Sequence, residues 1–492
     1  MAGIGFELKK LFRATGVLSV LKAYGYTGMV TAGPMLLGVL FLLSINTIGK
    51  LAGLPKDEQD LLVSMITYSL LASMVITSIF SMVMTRYVAD LLYQEKDEAV
   101  LPSLEGILMF VLPLGGLIWG VFLIFSQVRY SICILLLIFF LELIVAWTEM
   151  NYLTAIKDYR GILLSYIYAI IAAVIVAYLG CRFFGVSLEL MIFSVSVGYG
   201  VMLIYDLVLL YKYFPNSQKD HFAFLPWFDE FADLMVIGFA TNIGLFAHLV
   251  IAWVSDIGEN YQGLFYGAPQ HDVAALFSFI TILITTINFV ASVEVNFYPK
   301  YRRYYDLFNG AGSIMEIEQA ENEMLTVLEH ELIYMARRQF YGTALMLSIG
   351  LVILGRLPLG FDALMEGYFR ILCVGYGAYA VGNVLMLVLM YFTDYRDARN
   401  SAIVFAVTTT VGSLASLQLD TKYYGFAFAF GSIIYLIFAL VMLMRYTKRL
   451  PYHILSSQPI VAEAKRGFGC RLYEFIEKKQ GSANKKDNVE KQ

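Results

Sequence analysis

Residues 130–152 read YSICILLLIFFLELIVAWTEMNY, a long and mostly apolar run whose only charged residues are Glu142 and Glu149. A helix needs about 20 apolar residues to cross the hydrocarbon core of a bilayer. Backbone surrounded by lipid must satisfy its own hydrogen bonds, so a spanning segment of this length is a helix. Eleven further runs have the same character: 24–49, 62–85, 104–127, 161–181, 188–211, 232–254, 273–298, 339–355, 367–391, 400–418 and 424–444. With 59% hydrophobic and 15% charged residues and a mean hydropathy of +0.69, little chain is left for anything else. The expected fold is an all-α polytopic membrane protein of about twelve transmembrane helices.

The connections exclude several function classes. The longest are 299–338, 212–231 and the tail after Arg445. A soluble catalytic domain takes roughly 100 residues or more, and no phosphate-binding loop of the G-x-x-x-x-G-K-[ST] kind occurs. The chain does not read as an enzyme, and ATP hydrolysis is not its own. The cysteines Cys133, Cys181, Cys373 and Cys470 lack metal-site spacing. No cofactor, metal or nucleic-acid partner is expected.

Charge fixes the expected orientation. With the N-terminus inside, the inner segments hold Lys9, Lys10, Arg13, Arg86, Lys157, Arg160, Lys300, Arg302, Arg303, Arg337, Arg338, Arg396 and Arg399. The outer segment 255–272 carries Asp256, Glu259 and Asp272 and no Lys or Arg. The positive-inside rule then places both termini in the cytoplasm of a plasma- or inner-membrane protein. No cleavable signal peptide is expected, because the basic start leads into an amphipathic stretch and a full-length span.

Residues 1–23 are expected to form an amphipathic interfacial helix, with Ile4, Leu8, Leu11, Phe12 and Thr15 on one face. A comparable aromatic segment, FPNSQKDHFAFLPWFDEF at 214–231, precedes the seventh span. The recurrence divides the chain into a first lobe at 24–212, a second lobe at 213–447 and a cytoplasmic tail at 448–492. Parallel six-helix halves are a known transporter plan. Within the second lobe, 313–338 reads as a cytoplasmic helix opened by a capping box of Ser313 and Glu316. Its acidic flank, including Glu318, Glu321 and Glu323, is either solvated or a docking surface for a cytoplasmic partner.

Charges inside spans are the candidate site, since each costs about 2.5–3.5 kcal/mol at mid-membrane. Glu142 and Glu149 share one face of the fourth span, while Asp206 on the sixth and Glu294 on the eighth fall at similar inner depths. Arg86 is the nearest cation by depth. Asn242, His248 and Asn288 would be neutral polar partners. These groups either pair privately, as Glu149 with Arg86, or line a water-filled cavity that takes something cationic or couples protons. In the first span, Gly33-Pro34 should bend the helix, as a hinge or as a static kink.

The opening MAGIGFELKKLF and the later AYGYTGMVTAGPMLLG resemble the start of the PelG family of Pel exopolysaccharide export transporters. That family is a branch of the multidrug/oligosaccharidyl-lipid/polysaccharide (MOP) flippase superfamily. Where it usually carries Ser-Gly-Pro-Trp in the first span, this chain has Ala32-Gly33-Pro34-Met35, so the bend is kept and its flanks differ. The resemblance implies two lobes of the MATE and MurJ kind. It also implies a cytoplasmic glycosyltransferase and membrane components of a synthase complex as partners. The implied cargo is partly deacetylated N-acetylgalactosamine polymer for a biofilm matrix, whose free amines are cationic and suit a ring of carboxylates. Two alternatives stay open: a cation- or proton-coupled exporter of small molecules or lipid-linked sugars, and a non-transporting scaffold of a synthase complex.

Overall fold

The computed structural model describes residues 17–156, 158–215, 217, 220–310, 312–356, 361–457 and 467–478. The expected N-terminal interfacial helix lies outside them, except that residues from Val17 onward form the start of the first helix. Each of the twelve expected spans falls on helical sequence, the eighth and ninth in more than one piece. The first six are α1 (Val17–Leu51), α2 (Lys56–Tyr93), α3 (Val100–Phe125), α4 (Tyr130–Ala155), α5 (Tyr159–Phe184) and α6 (Leu188–Tyr213). A short α7 (Leu225–Glu230) leads into α8 (Ala232–Trp253), and the eighth span is α9 (Pro269–Phe279) followed by α10 (Ile282–Phe289). Then come α11 (Tyr298–Asn309), α12 (Ile314–Leu345), α13 (Leu351–Leu354), α14 (Ala363–Tyr391), α15 (Tyr395–Ser416) and α16 (Tyr424–Thr447).

Among the described residues, nine helices are long and apolar enough to cross a membrane, and Leu36–Leu51 is a shorter apolar stretch. The ninth and eleventh expected spans fall outside the nine: from its middle onward α12 carries Glu329, Glu331, Arg337 and Arg338, and α15 carries Arg396, Asp397 and Arg399 near its start. Helix α12 and the ninth span are one continuous rod, extended by a π-helical turn at Met346–Gly350. The expected capping box forms: the Ser313 side chain accepts from the Glu316 amide while Glu316 accepts from the Ser313 amide at 2.8 Å. Met324, Leu328 and Met335, spaced at helical period, bury the apolar stripe of α12. Side-chain caps at Asp158, Ser187, Asp362 and Asp394 open α5, α6, α14 and α15 in the same economical way.

The chain forms two compact units, Leu42–Phe239 with the described part of Ile454–Gln492, and Ala240–His453 with the described part of Met1–Phe41. The segment 214–231, read from sequence as opening the second lobe, packs within the first of these. Its aromatics find partners on α2: Trp227 Nε1 donates to Asp90 at 3.2 Å, and Tyr87 meets Phe224 and Trp227 edge to face. In the other unit, α14, α15 and α16 approach at glycines. A Cβ on Gly431 would lie 3.0 Å from the Thr409 amide nitrogen, and one on Gly382 would lie 3.1 Å from Leu436 Cα. Close backbone approach through small residues is how helices pack where lipid removes the hydrophobic drive. A two-stranded hairpin, Glu259–Gln262 against Phe265–Gly267, turns at Gly263 with φ +59.

Many hydroxyls inside the spans are satisfied locally. Ser69, Thr77, Thr148, Ser194 and Thr409 each donate to the carbonyl four residues earlier. Such groups are not a site.

The tail carries unexpected order. Residues 468–478 are helical, and Asp229 in α7 accepts the amides of Gly467, Gly469 and Cys470 at 3.1, 2.9 and 2.7 Å. A Cβ on Gly469 would fall 2.3 Å from the Leu225 carbonyl, so glycine is required at this approach. Burial pushes Asp229 up, but the amides outweigh it and hold the carboxyl below its ordinary 3.8. Burial first and then Asp229 raise the Cys470 thiol from its ordinary 9.0. We therefore expect Asp229→Ala to accelerate maleimide labelling of Cys470 severalfold, since it exposes the thiol and favours the thiolate. An unchanged labelling rate would mean that the segment is held by other contacts.

Candidate functional site

Within the unit Leu42–Phe239, Glu149 of α4 and Asp206 of α6 come within electrostatic reach of each other, while Glu142 lies two turns away along α4 and faces Ser196 of α6. Glu142 is half-buried, and its Oε2 accepts from Ser196 Oγ at 2.6 Å. Ser196 was not legible as a partner, because it is one serine among several on an apolar helix. Two turns along α4, Glu149 is 1% exposed, and its Oε2 has no hydrogen-bond partner among the described residues. Asp206 is fully buried, and neither of its oxygens has one. It lies within electrostatic reach of both Glu149 and Tyr166. Ser165 is close by but gives its proton to the Ile162 carbonyl at 2.8 Å.

The alternative pairing of Glu149 with Arg86 does not form. Arg86 pairs with Asp90, one helical turn away, at 3.1 Å and lies over the Phe231 ring at 5.5 Å. A carboxylate at i+4 on the same helix reaches the guanidinium at less entropic cost than one on another helix. Two buried carboxyl groups without a cation are an expensive arrangement if ionised, since each loses its hydration with no partner to offset it. Chemically, the pair can hold protons or take up a small cation.

The neutral candidates lie in the other unit and do not form one cluster. His248 on α8 is 2% exposed and faces His271 and Tyr376. Asn288 on α10 accepts from Arg338 and donates to the Ile284 carbonyl at 2.6 Å. Asn242 is half-buried on α8. The Glu294 side chain lies outside the described residues, although its backbone sits in a π-helical segment, Val290–Phe297. Gly33 is buried, and α1 is helical through Gly33-Pro34; the side chain of Pro34 lies outside the described residues.

The three acidic residues of α12 differ from one another. Glu323 is bound by Lys300 at 2.9 Å and Arg303 at 3.2 Å, which ties α11 to α12. Glu321 is half-buried, and burial and then Glu318 push its carboxyl up. Glu318 is exposed and borders a groove of about 630 Å³ that also includes Lys300, Met315 and Gln319. The exposed Ile314 and Met315 stand at the start of the same helix.

A family model, PelG, described as "Putative exopolysaccharide Exporter (EPS-E)", matches residues 1–455. The chain belongs to that family. No curated protein sequence matches it. Among solved structures it is similar to an outward-facing multidrug resistance MATE family transporter of the MOP superfamily. The two share 12% identity with a TM-score of 0.56, over 92% of this chain and 100% of that one. It is also similar to a variant of the Vibrio cholerae MATE transporter VcmN (12% identity, TM-score 0.58, 87% and 98% covered). The eukaryotic MATE transporter AtDTX14 is a third (10% identity, TM-score 0.56, 88% and 99% covered). At such identities the likeness is one of fold, and that fold is the two-lobed MATE type. Family and fold are those of membrane transporters, not of enzymes.

Because no cation among the described residues pairs with Glu149 or Asp206, Glu149→Gln and Asp206→Asn should hold or raise the thermal midpoint of the purified protein, each by a few degrees at most. A fall of several degrees in detergent would instead show that the ionised carboxylates ligate something.

Proposed function

We propose that this transporter carries a cationic, Pel-type exopolysaccharide of partly deacetylated N-acetylgalactosamine across the plasma membrane, with both termini cytoplasmic. Family membership supports the export of an exopolysaccharide. The observation that carries the cationic cargo is Glu142, a half-buried carboxylate at mid-span whose Oε1 accepts no described hydrogen bond. An ammonium about 4 Å from a carboxylate gains roughly 4 kcal/mol at an effective dielectric of 20, before desolvation is subtracted. If about 1 kcal/mol survives, occupancy changes roughly fivefold. Glu149 and Asp206, being buried, serve the same reading as an inner reservoir of negative or protonated charge. Gly33-Pro34 serves as its hinge, since a missing backbone hydrogen bond lets α1 bend.

Glu142→Gln should cut polymer secretion severalfold while the amount of protein in the membrane stays constant. Secretion at the wild-type rate would remove Glu142 from the cargo path. The buried pair Glu149 and Asp206, with no cation beside it among the described residues, favours a second reading, a cation- or proton-coupled exporter of small molecules or lipid-linked sugars. A deletion strain separates the two, losing polymer in the first case and gaining drug sensitivity in the second.

The proposed partner is a cytoplasmic glycosyltransferase of the same pathway, met by the exposed start of α12. Glu318 and Glu321 are the informative positions, because reversing Glu323 would also break its pairing with Lys300 and Arg303. Glu318→Lys with Glu321→Lys should lose co-purification of the glycosyltransferase, as rim charges orient such encounters. Retained co-purification returns this face to solvent.

A further inference from the structure

One buried polar chain is used by nothing above. In the unit Ala240–His453, His248 of α8 and His271 of α9 are 2% and 1% exposed. Their rings meet through His248 Nδ1 and His271 Nε2 at 3.5 Å, and His248 Nε2 reaches the Tyr376 hydroxyl of α14 at 3.2 Å. The remaining ring nitrogen, His271 Nδ1, has no hydrogen-bond partner among the described residues. It stands 4.0 Å from Oδ1 of Asp272, whose side chain is one-third exposed.

Asp272 is held ready beside it. Trp253 Nε1 donates to both its oxygens at 3.0 and 2.9 Å, and the Ala268 amide donates to Oδ2 at 3.1 Å. The carboxylate also occupies the first turn of α9, where a negative charge is favoured. The rest of the surroundings are aromatic or neutral. Phe428 of α16 lies 4.3 Å from the His248 ring centre and Tyr368 of α14 lies 5.3 Å from that of His271. The other titratable groups of α14 facing this region are Cys373 and Tyr379. Asp362, Asp420 and Tyr424 act at the far side of Tyr368.

We infer that His271 and His248 form a proton-binding site with Asp272 as its counter-ion, and that the transport cycle takes up protons there. The hydrogen atoms can be counted. In the tautomer proposed for the neutral pair, His271 Nε2–H donates to His248 Nδ1, His248 Nε2–H donates to the Tyr376 oxygen, and His271 Nδ1 keeps its lone pair, with the Leu245 carbonyl a further acceptor beside His248. A proton from hydronium, which leaves neutral water behind, arrives by way of Asp272 and adds to that lone pair. No other bond breaks. His271 then donates from both nitrogens, to Asp272 and to His248, and the 4.0 Å separation closes into an ion pair. Only one proton fits, because a second would charge His248 with no anion beside it. On the orientation proposed above, Asp272 opens to the outer side, from which an inward proton gradient would load the site.

The test uses the full chain in lipid nanodiscs with ring-15N histidine, followed from about pH 8 to about pH 5, the range in which imidazoles exchange protons. His221, His330 and His453 serve as references in the same spectra. Joint movement of the His248 and His271 nitrogens, equal to one added proton, is expected, together with loss of that uptake in Asp272→Asn and His271→Gln. In cells, both variants should reach the membrane and lose polymer secretion. Rings that stay neutral throughout in the wild type would overturn the site without needing any variant to fold. A variant that loses proton uptake yet secretes normally would overturn its link to transport. This inference rests on the export reading only for that second arm. If a deletion strain secretes polymer normally, the export reading fails and the ring titration still decides the proton site.

Discussion

A polar group carried into hydrocarbon has no water to fall back on, and each one left unsatisfied costs several kcal/mol. This constraint sorts the interior of the protein. Backbone amides are consumed by helices, and serine and threonine hydroxyls fold back onto the preceding turn, as Ser69 and Thr409 do. Tyr152 meets Ser103 at 3.0 Å, and Trp147 donates to Ser73 at 2.9 Å. Against that background, the titratable atoms inside the spans that have no hydrogen-bond partner among the described residues include Glu149 Oε2, both oxygens of Asp206, and Nδ1 of His271, beside neutral ones such as Thr241 Oγ1 and Ser432 Oγ. A soluble protein can leave such atoms to a neighbouring water. The carboxylate and imidazole atoms among them are the ones whose chemistry can accept a proton or a cation.

The same constraint governs how the helices approach. With lipid tails as apolar as leucine, packing depends on shape, and glycine permits the closest contacts. Gly375 against Ala429, Gly382 against Leu436 and Gly431 against Thr409 set α14, α15 and α16 together. That close packing carries Tyr376 and Phe428 against His248 and leaves no room for solvent around the ring. Packing and polar chemistry are therefore one design in this unit: the glycines make the dry environment that restricts the histidine pair to a single charge.

The helices were legible in the sequence because their signal is compositional and long, and a stretch such as 130–152 admits no other reading. The capping box at Ser313 and Glu316 was legible because it is local, with both partners three residues apart. Longer-range partners were not. Nothing in the sequence ties His248 to His271 across the hairpin at Glu259–Gly267, and His271-Asp272 read as part of an acidic outer loop. Arg86 was matched by depth to Glu149, whereas Asp90, one turn away on its own helix, was the cheaper partner. Depth along a helix axis is visible in a sequence, but azimuth between helices is not, and azimuth decides which side chains meet. The docked segment 468–478 was hidden for a related reason, since Gly467 and Gly469 have meaning only beside Asp229.

Carboxylates and imidazoles are unequally shared between the two units, and the inequality has a chemical sense. Glu142, Glu149 and Asp206 lie in one unit and differ in burial, Glu142 a half-open carboxylate and Glu149 with Asp206 a sealed pair. An open carboxylate can meet a cationic sugar directly, while a sealed one can change only by gaining or losing a proton or a small ion. The histidine pair works with the opposite sign, being neutral until loaded and positive afterwards. Two sites that respond to protons with different charge states, one losing negative charge and the other gaining positive, both become less hospitable to a cationic cargo when loaded. Proton loading would then act on cargo release from both units in the same direction, although no side chain needs to pass between them.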